Sequence, residues 1–343
     1  MRVLITGSSG QIGTNLALRL LADGHEVFGI DKRRNTWTDA FPYLLQDLAG
    51  HYAPFPGGIN GVEYPETDLV VHLAAHAKVH QLVGEPHRAL ENAMMTFNVL
   101  EYARQGNIPI VFSSSREVYG DVHRFEGYDE TAADFAYTES TYSASKIAGE
   151  AFVYSYARCY GLPYLVFRFS NVYGRYDNDL HRMVRVIPLF IHSMMRDEPI
   201  TIYGGRDKTL DFTYVDDCVD GIARGIEALQ HGRVVNQTIN LAYGQGNTLV
   251  HCAERIAHEL ETEPQMTLAP SLLGEVTHYV ADLSKARSLL GYDPQVPLDE
   301  GIARAVAWFS EHREAHPHED VPVVADHERL RDAGLGWKTA PVA

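Results

Sequence analysis

The chain predicts an α/β fold: a doubly wound parallel sheet with a smaller C-terminal substrate-binding lobe interleaved with it. Three observations predict this. Apolar strands alternate with amphipathic helices as far as Gly174. A glycine-rich turn, "TGSSGQIG", joins the first strand to the first helix. Beyond Gly174 the alternation loosens into polar loops broken by shorter elements.

Taken in order, "RVLIT" reads as a short buried strand. "QIGTNLALRLLADG" follows as an amphipathic helix ended by Gly24, and "HEVFGID" as a second strand. "DLVVHLAA" is a further buried strand and "HRALENAMMTFNVLEYARQGN" a long helix. The strand "IPIVFSSS", the helix "STYSASKIAGEAFVYSYARCYG" and the strand "PYLVFRFSNVYG" complete the pattern. The loops "GRYDNDLHRMVR" and "YGGRDKTLDFTYVDD" then open the lobe. The expected division is 1–174 for the cofactor-binding part with the catalytic set, 175–312 mainly for the substrate lobe, and 313–343 for a polar tail. That tail, with "EAHPHEDVPVV", should drape on the surface or stay partly disordered.

With 343 residues, 45% of them apolar and 22% charged, the chain has the composition of a soluble globular protein. A formal charge of −16 argues against nonspecific binding to nucleic acid or anionic membrane, so any anionic substrate needs a locally basic site. Cys159, Cys218 and Cys252 are scattered and odd in number, which implies neither a disulfide framework nor a CxxC metal site. The start "MRVLITG" lacks a signal-peptide layout, and no apolar run nears the roughly 20 residues of a membrane span. A cytoplasmic protein is expected.

The glycine turn places Gly7, Gly10 and Gly13 where backbone can approach a pyrophosphate resting on a helix N-terminus. Asp31 stands 18 residues after Gly13, at the end of the next strand. A carboxylate there takes both ribose hydroxyls and repels a 2′-phosphate, favouring NAD over NADP, while Lys32 and Arg33 pull the other way. In "YSASK", Tyr142 and Lys146 lie four apart on one helix and face the same way. An ammonium beside the phenol, with a positive nicotinamide ring near, should lower the tyrosine pKa toward neutrality and make it a general base. "SSSREVYG", at the carboxyl end of a buried strand, supplies a serine hydroxyl for the same substrate oxygen.

TGxxGxxG, "QDLAG", "HLAA", FSSS before VYG, YxxxK, "NVYG" and "DFTYVDD", in this order over about residues 1–312, resemble the extended short-chain dehydrogenase/reductase family. Within it the chain is similar to the NAD-dependent nucleotide-sugar 4-epimerases, with a Rossmann-type fold. The resemblance implies Ser115, Tyr142 and Lys146 as catalytic residues. It implies NAD held by Gly7, Gly10, Gln11, Ile12, Gly13, Asp31, Lys32, Asp47, Leu48, Leu73, Ala74, Ala75, Asn92, Ser113, Tyr142, Lys146 and Phe169. A UDP-sugar would meet His80, Ser115, Arg116, Glu117, Tyr142, Asn171, Arg182, Arg185, Thr201, Tyr203, Arg206 and Glu275. No metal is implied, and His72, His76 and His80 at i, i+4 and i+8 have no acidic partner spaced with them. The helices beginning near Asn92 and Tyr142 would form a homodimer's four-helix bundle.

Related 4,6-dehydratases carry Thr-Asp-Glu before VYG, and UDP-glucuronate decarboxylases Thr-Ser-Glu; this chain has Ser115-Arg116-Glu117. Arginine cannot donate a proton, which removes dehydration chemistry. Arg116 either pairs with Glu117 or faces a substrate carboxylate. The latter predicts conversion of UDP-glucuronate to UDP-galacturonate, with UDP-glucose/UDP-galactose epimerisation, UDP-glucuronate decarboxylation and non-catalytic NAD binding as alternatives. Leu210 and Leu272 stand where UDP-galactose epimerases carry diphosphate-binding arginines. Arg175, Arg182, Arg185, Arg206 and Lys208 are the available replacements.

Overall fold

The computed structural model describes residues 1–50, 58–59, 61–121, 127–177 and 185–313. The first half contains β1 (Arg2–Thr6), α1 (Gln11–Ala22), β2 (Glu26–Asp31), β3 (Tyr43–Leu45), β4 (Gly58–Ile59), β5 (Val62–Glu63) and β6 (Leu69–His72). There follow α2 (Val79–Gly84), α3 (His87–Gly106), β7 (Ile110–Ser115), α4 (Thr141–Tyr160), β8 (Tyr164–Phe169) and β9 (Asn171–Tyr173). The second half contains α5 (Val186–Met194), β10 (Ile200–Tyr203), β11 (Thr209–Tyr214), α6 (Val215–Gln230), β12 (Gln237–Leu241) and β13 (Gly246–Thr248). It ends with α7 (Leu249–Glu259), β14 (Met266–Ala269), β15 (His278–Tyr279), α8 (Ser284–Leu290) and α9 (Leu298–Arg313).

Seven parallel strands form the main sheet in the order β12–β8–β7–β6–β1–β2–β3. Chain order reverses between β1 and β6, and a crevice outside the carboxyl ends at such a point is where open α/β sheets bind ligands. β6 and β7 are buried at every position, as expected of strands covered on both faces. α4 starts where the Ser140 hydroxyl accepts the Ser143 N–H (3.1 Å) and stops at Gly161, whose φ of 72° suits glycine. These caps fix where Tyr142 and Lys146 emerge.

Two predicted strands are shorter than the apolar runs suggested. "DLVVHLAA" ends at His72, because the Leu73 and Ala74 N–H groups turn to the Thr6 carbonyl (3.0 Å) and hydroxyl (3.2 Å). "PYLVFRFSNVYG" divides at Ser170, whose hydroxyl donates to the Asp211 carbonyl. β8 stays in the main sheet while β9 pairs with β11. β11 also pairs antiparallel with β13 and parallel with β15, and β10 pairs with β14. From the second half of the chain, β12 joins the main sheet, and α6 packs on α1 and β8. The predicted tail lies outside the described residues from 314 onward.

Candidate active site

A cavity of about 1120 Å³ follows the carboxyl ends of the main-sheet strands and continues to the C-terminal lobe. Ligand pockets for one drug-sized molecule run to roughly 1,000 Å³. This cavity slightly exceeds that figure and extends from the glycine turn to the C-terminal lobe.

At one end the glycine turn is built without room for side chains. A Cβ on Gly7 would lie 2.7 Å from the Ala74 nitrogen, and one on Gly13 would lie 2.2 Å from the Gly7 carbonyl oxygen. Gly7 also has φ of 74°, a left-handed conformation. Gly10 meets only the Gly7 oxygen at 3.3 Å, so its outer side is open to the cavity. Such a cradle at the N-terminus of α1 fits a dinucleotide's pyrophosphate. Asp31 accepts hydrogen bonds from the Ser9 N–H (3.0 Å) and the Arg33 N–H (2.9 Å). Those bonds orient the carboxylate on the cavity wall beside Lys32. Gln11, Ile12, Asp47, Leu48, Leu73, Ala74, Ala75, Ser113 and Phe169 line the cavity. Asn92 does not. Its amide is occupied by the His76 backbone, accepting from N–H (2.7 Å) and donating to C=O (3.0 Å), so it shapes the loop after β6 from behind.

Ser115, Tyr142 and Lys146 meet on the cavity wall. Lys146 donates to the Ser113 carbonyl (2.7 Å), and its nitrogen sits 5.9 Å from the Tyr142 ring centre. Burial lowers the lysine pKa to about 8, with the Glu150 carboxylate opposing. The expected low tyrosine pKa is not produced by the protein's own groups. Burial pushes the phenol up to about 12, and the hydrogen bond with Ser115 only partly offsets this. Ser115 also caps the turn 116–119, its hydroxyl accepting the Glu117 N–H at 3.3 Å.

The opposite wall differs from expectation in several places. Arg116 is ion-paired with Glu117 (2.9 Å) and donates to the Asn171 side-chain oxygen (3.2 Å), so the bonded pair, not an unmatched cation, occupies this position. Both are buried, and the Arg116 Nη1 and Glu117 Oε2 atoms have no hydrogen-bond partner. Burial raises the Glu117 pKa, opposed by Arg116. Asn171 donates to the Asp211 carbonyl (2.9 Å). Thr201, Tyr203 and His80 line the cavity. Glu275 accepts from Lys208 (2.8 Å) and stands 3.4 Å from the His80 ring. Burial alone would raise its pKa, yet Lys208 and His80 hold it at about 2. Arg206 is exposed on the turn before β11 and is not among the lining residues, whereas Lys208 and Leu210 are. Arg175 pairs at the surface with Asp216 (2.5 Å). Arg185 is bonded to Gln11 and Asp177 rather than to the substrate wall. Arg182 lies outside the described residues.

Trp37, Tyr176 and Asp177 also line the cavity wall and were not among the residues expected there. Trp37 had a usable signal, an isolated large aromatic in the polar loop just after Asp31. Tyr176 and Asp177 had none, because they reach the cavity only through long-range folding.

Residues 3–242 match the model of the NAD dependent epimerase/dehydratase family. A UDP-glucose 4-epimerase of Mycolicibacterium smegmatis is 30% identical, over 90% of this chain and 98% of its own length. A probable UDP-glucuronate 4-epimerase of Rhizobium meliloti is 27% identical, over 92% and 99%. Among solved structures, the UDP-glucose 4-epimerase of Thermus thermophilus in complex with NAD superposes with a TM-score of 0.78 at 28% identity, over 90% and 99% of the two chains. The chain therefore belongs to the NAD dependent epimerase/dehydratase family, and NAD is its cofactor.

Proposed function

We propose that the protein is a 4-epimerase of a UDP-hexose, with UDP-glucose and UDP-galactose as its sugar pair. The observation that carries this is the convergence of Ser115, Tyr142 and Lys146 beside the glycine cradle in one cavity. Tyr142 takes the proton from the sugar's 4-hydroxyl, and Ser115 holds the same oxygen by hydrogen bond. Lys146, fixed by the Ser113 carbonyl, supplies positive charge that favours the phenolate. Bound NAD would supply the hydride acceptor and donor for the sugar's C4, and its positive ring would add to the pull on a phenol that the protein alone leaves near 12. The 4-keto sugar then presents its other face, and the Tyr142 proton returns to the oxygen. Lys208 lines the cavity just before β11, but its ammonium is paired with Glu275, so it adds no net charge near the missing diphosphate contacts.

The neutral hexose is favoured because Arg116 and Glu117 form a pair without net charge, which gives a C6 carboxylate little attraction. The second reading, UDP-glucuronate to UDP-galacturonate, is favoured by one feature. Burial raises the Glu117 pKa, and a protonated Glu117 would release Arg116 to a carboxylate through its partnerless Nη1. We further propose a homodimer through α3 and α4, supported by the exposed Leu90, Phe152 and Tyr160 on these helices. Its place is the reducing cytoplasm, where the exposed Cys159 thiol stays free.

The test is a panel of UDP-sugars incubated with purified protein and resolved by chromatography. UDP-galactose should form from UDP-glucose, and Tyr142→Phe should lower kcat by about 10² or more while NAD stays bound. Faster turnover of UDP-glucuronate selects the second reading, and carbon dioxide release selects decarboxylation. Near wild-type activity in Tyr142→Phe would overturn the mechanism.

A further inference from the structure

We propose that Arg185, with Asp177 and Gln11, forms a bridge that retains NAD: it serves the cofactor's pyrophosphate at the first turn of α1, not the substrate's diphosphate. The inference rests on NAD being the cofactor, and it goes beyond the choice of sugar. Arg185 immediately precedes α5, and its Nη1 donates to Gln11 Oε1 (2.8 Å) and to the Asp177 carboxylate. Gln11 is the first residue of α1, beside the glycine cradle. The turn Gly7–Gly13 contains no charged residue, so nothing in it matches a pyrophosphate's two negative charges except backbone dipoles. Arg185 brings a guanidinium to that place. Its bonds to Gln11 and Asp177 use one nitrogen, and a guanidinium carries further N–H groups of the kind that suit phosphate oxygens.

Asp177 makes the arrangement specific. Asp177 is 3% exposed and lines the same cavity, where Arg185 offsets its repulsion of a pyrophosphate. Its segment is held from several sides. Asn15 of α1 donates to the Arg175 carbonyl (3.2 Å). Tyr176 adopts a left-handed φ of 62°, unfavourable for a bulky residue, with its ring packed against Trp37 (5.5 Å) and Trp308 (5.8 Å). Loop, α1 and α9 thus hold Asp177 in place, and Arg185 ties it to the phosphate turn. An epimerase with no net redox change keeps its cofactor through turnover, and a bridge of this kind slows its loss.

The test measures NAD directly, without substrate. Wild type, Arg185→Gln, Arg185→Lys, Asp177→Asn and the Arg185→Gln/Asp177→Asn double variant are purified, their bound NAD is quantified, and stripped protein is titrated with NAD. Arg185→Gln should bind NAD about tenfold or more weakly, because the guanidinium is lost from beside the phosphates while the Asp177 carboxylate stays. Arg185→Lys should keep most of the affinity, Asp177→Asn should keep or gain it, and the double variant should recover most of the loss. With saturating NAD, the KM of Arg185→Gln for the UDP-sugar should stay within about twofold of wild type. Unchanged NAD affinity with a raised KM would make Arg185 a substrate ligand and overturn the inference. A double variant no better than Arg185→Gln would overturn the charge balance. Failure of wild type to bind NAD is seen first and would strike the cofactor assignment itself.

Discussion

His72 is sealed between two threonines: its Nδ1 is 2.7 Å from the Thr6 hydroxyl and its Nε2 3.3 Å from the Thr96 hydroxyl. Burial, aided by the nearby Lys146 charge, pushes its pKa from 6.5 down to about 3. His76 instead meets Glu91 (2.7 Å) and His80 faces Glu275, so the regular spacing of the three does not bring them to one point. Among the described residues no group of three His, Cys, Asp or Glu could hold a metal ion. The consequence for stability has a definite sign. Below pH 6.5 the unfolded chain protonates this histidine while the folded chain does not, so stability present above that pH is lost toward about pH 3. The loss is about 1.4 kcal/mol per pH unit from one such group. Urea unfolding of wild type and His72→Gln at pH 7.5, 6 and 5 should show their difference shrinking by about 1–2 kcal/mol toward acid. A difference independent of pH would mean that His72 titrates normally.

The strand–turn–helix unit at the start of the chain separates two uses of glycine. At Gly13 a methyl group would lie 2.2 Å from one backbone oxygen and 2.8 Å from the Ser8 Cα, so the helix itself must move. Gly13→Ala should therefore lower stability by about 3 kcal/mol and abolish NAD binding together. Gly10 has φ of −80°, and a methyl group there would meet only the Gly7 carbonyl oxygen, at a tight 3.3 Å rather than in overlap. Gly10→Ala should cost less than about 1 kcal/mol of stability yet weaken NAD, because the methyl obstructs the approach of a phosphate. Denaturant unfolding and NAD titration of both variants check this; equal effects on stability would show that the turn is not as close as its geometry indicates. This unit was legible in the sequence, since glycine spacing, flanking strand and Asp31 are all local. The break at Ser170 was not, because the Asp211 carbonyl that draws the chain out of the sheet comes 41 residues later.

At the scale of the molecule, α3 and α4 pack side by side and leave an apolar strip outside. Leu90 is 74% exposed, Tyr160 57% and Phe152 37%, with Phe97 edge-on to Phe152 at 6.3 Å. Leu90 and Phe97 lie seven apart on α3, and Phe152 and Tyr160 eight apart on α4, so each pair shares a helix face. The proposed dimer would cover this strip. Wild type should sediment as a dimer, and Phe152→Glu should weaken association by about 2 kcal/mol or more with helix content unchanged by circular dichroism. A monomeric wild type would remove the proposal. No helix among the described residues is long and apolar enough to cross a membrane.

The parallel α/β sheet, the family and its cofactor were legible in the chain alone, because these rest on periodicity and on short motifs whose members are neighbours in the chain. Gly7, Gly13, Tyr142 and Lys146 are held in relation by one turn or one helix, and local geometry suffices to read them. Which charges meet became visible only in the folded chain. Arg116 closed on Glu117, Lys208 on Glu275, and Arg185 crossed 174 residues to Gln11. Arg206 was left exposed and Asn92 turned to a backbone loop. A charged side chain can be satisfied by any opposite charge that folding brings within reach, and its pattern in the sequence does not say which one arrives.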